Sequence, residues 1–439
     1  MLSNLTYTMC PMCLCGYFGE TDEITRIESY IWGLKTRLMH VSLVCSDRIR
    51  LSDQKEIYMS AIHYIKRKIG QTYLVWIGNS NSYVQLEEPA WFVFRKIAGR
   101  HKSETIASEF AWRYDIASEE SLSFVKDIRS EIMKMNQTDS SDDKRNKNTA
   151  NLNDYKFTPF SIHCYNLGNK QLAFAYESRL FEYYLHPLIS QFETTEPDAE
   201  IPLFELFAHQ ERIVFRYNGE VKGIWENDET QLVKGLIFLF LINVMHDKIE
   251  ADWLMTVHAS AITNGKKTIL FSAAPGMGKT TMAALLKAKG YRLISDDFVP
   301  IDRNDFCAYP FPIAMSVKPG SMDCLIPFYP ELELNELVHI SPEKSVRYIP
   351  MNAVSDFTKE VFPVQEIVFI EYNQSVDFTF EKLNGVKSLK QLLDQAWVPS
   401  TPGNADILFN RIMETSFYKL TYSNNTKALQ AISSLFDEG

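Results

Sequence analysis

Apolar positions recur along this chain in distinct rhythms, and each rhythm predicts a kind of element. Over 72–86, "TYLVWIGNSNSYVQL", two apolar runs flank the turn-favouring residues Asn79, Ser80, Asn81 and Ser82. That pattern predicts two β-strands joined as a hairpin. The period then lengthens to three and four residues. Three helices are expected, over "EPAWFVFRKIAG", "SETIASEFAWRYD" and "SEESLSFVKDIRSEIMKM". Pro89 suits a first turn, Gly99 a C-terminal cap, and Ser103 and Ser118 are the expected N-caps. Ile106, Phe110 and Tyr114, and then Leu122, Val125, Ile128 and Ile132, put one apolar face on each of the later helices.

The pattern breaks at 136–155, "NQTDSSDDKRNKNTANLNDY", where charge, Asn, Ser and Thr replace apolar residues. Such a stretch buries too little surface to offset its ordering entropy and is expected as a flexible linker. Beyond it, aromatic-rich β patterns such as "RIVFRYNG" surround a continuous apolar run, "GLIFLFLINVM" (235–245), and continue through "WLMTVHASAI" and "KKTILFS". The expected organisation is an N-terminal segment (1–69) of uncertain fold, with an amphipathic stretch around "SAIHYIKRKI". A small domain (70–135), the linker (136–155) and an α/β domain (156–439) follow.

At 439 residues the chain is long enough for two or three domains. Its formal charge of −10 argues against a general nucleic-acid binder. The run at 235–245 is too short to cross a bilayer and ends in His246, Asp247 and Lys248, so a buried helix is expected and no membrane partner. With no secretion-like N-terminus and an odd count of 7 cysteines, reduced thiols and a cytoplasmic location are expected. Cys10, Cys13 and Cys15 either seed a thiolate metal site or are free thiols.

The chemistry concentrates at "AAPGMGKT" (273–280), set between the apolar run "KKTILFS" and the helix-forming "KTTMAALLKAKG", for which Gly290 is the stop. Strand, small-residue loop and helix together form a phosphate-binding loop. Ala274, Pro275, Gly276, Met277, Gly278, Lys279, Thr280 and Thr281 are the candidate nucleotide contacts. Lys279 would sit near the β and γ phosphates of ATP, and Thr280 would offer its hydroxyl to Mg²⁺. After the helix, "YRLISDDFVPI" reads as a strand ending in Asp296 and Asp297. Two adjacent carboxylates repel each other and favour a cation. Asp296 is the candidate Mg²⁺ contact and Asp297 the candidate general base, the alternative being a strand-end turn with solvated acids.

In order and spacing, "VHASAI", "ILFSAAPGMGKTT" and "GYRLISDDFVPI" resemble the catalytic domain of HPr kinase/phosphorylase, which shares its nucleotide site with phosphoenolpyruvate carboxykinase. The resemblance implies a mixed-sheet P-loop fold, transfer of a phosphoryl group from ATP to a serine, His258 close to the base Asp297, and a possible homo-oligomer. Where that family carries a Glu and an Arg, this chain reads "MSVKPG", with Ser316 and Lys318 at those places. A carboxylate is lost there, and Lys318 becomes the candidate to face the transferred group. Arg347, in "SVRYIP", is a further candidate phosphate contact. The segment 70–135 resembles the PqqD-like, winged-helix-like element of enzymes that modify ribosomally made peptides, which implies that a leader peptide adds as a strand beside the hairpin.

Three functions remain: a kinase acting on a Ser of a precursor peptide or small protein, a nucleotide-gated module that presents such a peptide, and a carboxykinase-like small-molecule enzyme.

Overall fold

The computed structural model describes residues 42–44, 62–136, 150–168, 170–195, 200–341, 344–351 and 360–437. Cys10, Cys13 and Cys15 lie outside them. The fold is mixed α/β and divides into two units, each described by itself.

Of the described residues, the first unit holds 42–44, 62–136 and 400–410. Its sheet contains β1 (Ser42–Val44), β2 (Tyr64–Ile69), β3 (Thr72–Ile77) and β4 (Ser82–Glu87), in the order β1-β4-β3-β2. β3 and β4 pair antiparallel as the expected hairpin, with Asn81 in the left-handed region at φ 52°. The amphipathic stretch before residue 70 is a third strand, β2, paired along β3 from Tyr64↔Ile77 to Ile69↔Thr72. Alternation over six residues left its period open between strand and helix.

Three helices follow, α1 (Glu88–Ala98), α2 (Ser103–Tyr114) and α3 (Ser118–Met135). Their apolar faces close a core around Trp91, Phe94, Ile106, Phe110, Val125 and Ile132. Gly99 caps α1 as expected. The serine N-caps are corrected: Lys102 and Ala117 precede the two helices without a side-chain cap. Ser103 Oγ instead accepts a hydrogen bond from Arg129 Nε at 2.8 Å.

In the second unit the end of the polar stretch is ordered. A short helix, α4 (Ala150–Asn153), buries Leu152 against Phe207, Val214 and Ile224. Arg216 Nη1 donates to the carbonyls of Leu152, Asn153 and Tyr155, while its Nε reaches Glu205 at 2.6 Å. A mixed sheet follows, formed by β5 (Ser161–Leu167), β6 (Lys170–Tyr176), β7 (Glu193–Thr194), β8 (Leu203–His209), β9 (Arg212–Tyr217) and β10 (Glu220–Glu226). Helix α5 (Arg179–Ile189) links β6 to β7, and the expected apolar helix is α6 (Thr230–His246). No helix among the described residues is long and apolar enough to cross a membrane.

Most of the remaining strands form a second mixed sheet, whose topology positions the candidate site, and three others form a small separate sheet. One half holds β12 (Ala259–Thr263), β13 (Thr268–Ser272), β14 (Arg292–Ser295) and β20 (Phe362–Tyr372). The other half holds β11 (Trp253–Val257), β15 (Val299–Asp302) and β16 (Cys307–Ala308). β12 pairs with β13 and β14 antiparallel, β11 pairs with β15 antiparallel, and β13 runs parallel to β20. The chain crosses between halves at His258 and again at Asp296–Phe298. Both crossings fall beside the C-terminal end of β13, where the loop 273–278 leaves the sheet.

Candidate functional site

Five buried residues in a row make β13 a core strand. After it the chain turns through exposed Ala274, Pro275, Gly276 and Met277, and enters helix α7 (Lys279–Ala288) at Gly278. Gly276 and Gly278 have φ of 89° and 93°, a region costly for residues with a Cβ. Space is tight as well: a Cβ on Gly278 would lie 3.1 Å from the Tyr422 hydroxyl and 3.3 Å from Tyr372 Cβ, so both neighbours would have to give way. The loop is fastened to β20 by the Tyr372 N–H, which donates to the Met277 carbonyl at 3.1 Å. Met282, Ala283, Leu285 and Leu286 seat α7 in the core, and Gly290 at φ 97° ends the helix as expected. The first-turn N–H groups of α7, which no helical carbonyl can reach, face the loop end.

Lys279 is 7% exposed, and its Nζ lies 3.1 Å from Asp297 Oδ1 and 3.0 Å from His258 Nε2. His258 Nδ1 stands 3.1 Å from the Asp297 carbonyl. A neutral imidazole protonated on Nδ1 satisfies both contacts, donating to the carbonyl and accepting from Lys279. Burial, then the Lys279 charge, pulls the His258 pKa down to about 4, in keeping with that form. Burial alone would raise Asp297, but the Lys279 ammonium, with Lys234 in support, outweighs it and holds this carboxyl well below the usual range. Asp297 also sits at φ 75°, a strained conformation for a residue with a Cβ.

Asp296 has different partners. It is buried, accepting from Ser260 Oγ at 2.5 Å and from Thr280 Oγ1 at 3.0 Å. Burial, then the neighbouring Asp297 charge, raises its pKa. A hydroxyl that donates to a carboxylate keeps lone pairs for a cation, so Thr280 Oγ1 and Asp296 form an oxygen donor set suited to Mg²⁺.

The other expected residues lie around this pair. Lys318 is half-buried, and a Cβ built on Gly276 would fall 3.4 Å from its Nζ, which places the ammonium over the loop. Burial, then Lys344, lowers its pKa. Thr281 Oγ1 meets Ser321 Oγ at 2.7 Å, tying α7 to the turn after Lys318. Ser316 lies on β17 (Met315–Val317), directly opposite Tyr348 of β19 (Lys344–Ile349). Arg347 uses its Nε on the Asn335 carbonyl at 2.8 Å.

Sequence reasoning missed Lys234 of α6, whose pKa is drawn down to about 8 by burial although Asp297 opposes the fall. It also missed Ser260, the partner of Asp296. Lys234 heads the apolar run at 235–245, where one cation reads as a helix end; Ser260 lies inside "VHASAI" with no charge to mark it.

A scan against protein-family models gives no match, and neither does a search of curated proteins. Among solved structures, the HPr(Ser) kinase/phosphatase from Coxiella burnetii is similar at 10% identity and a TM-score of 0.20, over 41% of this chain and 88% of that one. A likeness at that score carries no argument about this chain, and the functional reading rests on the geometry of residues 258–318.

Proposed function

We propose that this chain is an ATP- and Mg²⁺-dependent kinase that transfers the γ-phosphoryl group to a side-chain hydroxyl, a Ser of a ribosomally made precursor peptide or small protein. The observation that carries the reading is the division of labour between the two adjacent acids. Asp296 is committed to Thr280 and Ser260, whereas Asp297 faces the Lys279 ammonium. That division supports a reading in which one carboxylate holds a metal and the other takes a proton.

In this reading the loop 273–278 and the first turn of α7 bind the phosphates. Thr280 and Asp296 would hold Mg²⁺, which when bound neutralises charge on the phosphate oxygens. Lys279 turns from Asp297 toward those oxygens. Asp297, released from its ion pair, regains basicity and accepts the proton of the attacking hydroxyl. The new O–P bond forms as the bond from the γ-phosphorus to its bridging oxygen breaks, and ADP departs. Lys318, and Lys234 beside Asp297, add positive charge where the transferred group carries negative charge.

The segment 70–135 is the candidate leader-binding element, which would raise the local concentration of the hydroxyl. Mass spectrometry of the precursor peptide encoded beside the gene, incubated with protein, ATP and Mg²⁺, tests the reading. One added phosphoryl group per peptide is the expected result. An unchanged peptide mass, with binding intact, would favour the peptide-presenting module instead.

A further inference from the structure

Away from the phosphate loop, β5, α5 and β7 bring two histidines and two glutamates together. His163 and Tyr165 stand two residues apart on β5 and so share a face. Glu182 and His186 stand four apart on α5 and share a helix face. Glu193 of β7 lies directly opposite Tyr165 in the ladder. The two imidazoles stack with centroids 4.2 Å apart. One nitrogen from each ring and one Glu193 oxygen all lie within 4.8 Å of one another.

The partners of the remaining ring nitrogens give this cluster a direction. His163 Nε2 is 2.5 Å from Glu182 Oε1, which leaves Nδ1 to face Glu193 at 2.6 Å. His186 Nδ1 is 2.8 Å from the Tyr165 hydroxyl, which leaves its Nε2. Each histidine is therefore oriented through one nitrogen by an oxygen partner, the arrangement that fixes tautomer and ring angle for a metal-ligating imidazole. Tyr165 is fully buried, so that hydroxyl is locked in place.

We propose that His163, His186 and Glu193 bind a divalent transition-metal ion, Zn²⁺, with Glu182 and Tyr165 as outer partners. Two imidazoles and one carboxylate match zinc in donor type. Donor atoms around one tetrahedral zinc stand roughly 3.3 Å apart, given bonds of about 2.0 Å. Replacing the proton between His163 and Glu193 with the ion thus needs a small outward shift of Glu193, whose side chain is 42% exposed. Three protein ligands leave a fourth position for water or a small anionic ligand. The site shares no residue with the loop or with Asp296, so it stands whether or not the kinase reading does.

The test is Co²⁺ and Zn²⁺ titration of chelator-treated full-length protein, followed by visible absorption and calorimetry. Two backgrounds isolate the site: Cys10, Cys13 and Cys15 replaced by Ser, and Asp296→Asn. One equivalent should bind in both backgrounds, with tetrahedral Co²⁺ bands and no thiolate charge-transfer band. His186→Ala and Glu193→Gln should each remove that equivalent, while Tyr165→Phe should weaken it roughly 10- to 100-fold. Circular dichroism establishes that each variant is folded, and Glu182→Gln, which alters no ligand, provides a milder second probe with the same expected direction. Binding that survives both ligand substitutions, or that vanishes with the cysteines or Asp296, overturns the proposal. So does the absence of any Zn²⁺ binding by the folded wild-type protein.

Discussion

The Lys279 ammonium stands 3.1 Å from Asp297 Oδ1 and 3.0 Å from His258 Nε2, so the cation expected to bind phosphate rests on the expected base. With Lys279 in this position the low pKa of Asp297 makes it a poor proton acceptor. Basicity is thereby coupled to arrival of the nucleotide, because phosphate oxygens compete for the same ammonium.

Removing the base without removing the loop separates binding from chemistry. Asp297→Asn is expected to lower phosphoryl transfer by about 10²- to 10⁴-fold while ATP affinity is retained or rises, because Lys279 no longer has to leave a carboxylate for the phosphates. Steady-state transfer rates and calorimetric ATP titrations check this. An undiminished rate would remove Asp297 from the role.

Gly278→Ala meets two obstacles, the φ of 93° and the Tyr422 hydroxyl 3.1 Å from the new Cβ. The expected cost is on the order of 1–3 kcal/mol, borne by the loop and felt as weaker ATP binding. Gly290→Ala, where φ is 97° but the surroundings are open, carries the conformational cost without the steric one. Its ATP affinity should stay near wild type. Equal loss of affinity in both variants would contradict the account.

The neutral His258 predicts a pH dependence of stability. Its pKa is about 4 in the folded chain, against roughly 6.5 when exposed. Between those values the unfolded chain takes up a proton that the folded chain refuses. Its contribution is therefore fully present above about 6.5 and is lost as pH falls toward 4, on the order of 3 kcal/mol in all. Urea midpoints of wild type and His258→Gln, compared across that range without Mg²⁺, should converge or cross as pH falls. Parallel profiles would contradict a buried neutral imidazole. His246, also drawn down to about 4 by burial, titrates alike in both proteins and cancels.

Lys234 tests the part of the site that sequence reasoning missed. Lys234→Met keeps most of the side-chain volume and removes the charge beside Asp297. Transfer is expected to fall about tenfold or more, with ATP affinity nearly unchanged. A loss confined to ATP affinity would place Lys234 with the loop instead.

Much of this arrangement was legible in the residues. Consecutive small residues between an apolar run and a helix-forming run could only be a tight loop leaving a strand, and 268–288 folds as strand, loop and helix. The hairpin at 72–87 and its three helices followed from turn residues and from the change of period at Glu88. Long-range placement was not legible. Nothing local marks β11 and β12 as belonging to different halves of a sheet, so the approach of His258 to Asp297 came only through family resemblance, and its contact with Lys279 was not foreseen. Serines at 103 and 118 suit an N-cap by propensity, yet Arg129 claimed the first and both helices begin one residue earlier. The His163–His186 cluster assembles across two strands and a helix, and no spacing announces it.

The most direct measurement is a structure of the protein with a non-hydrolysable ATP analogue and Mg²⁺. The account predicts the β and γ phosphates over 273–280, the metal on Thr280 and Asp296, and Lys279 moved from Asp297 to the phosphate oxygens. A triphosphate bound elsewhere, or Lys279 still paired with Asp297 beside a bound γ-phosphate, would contradict it.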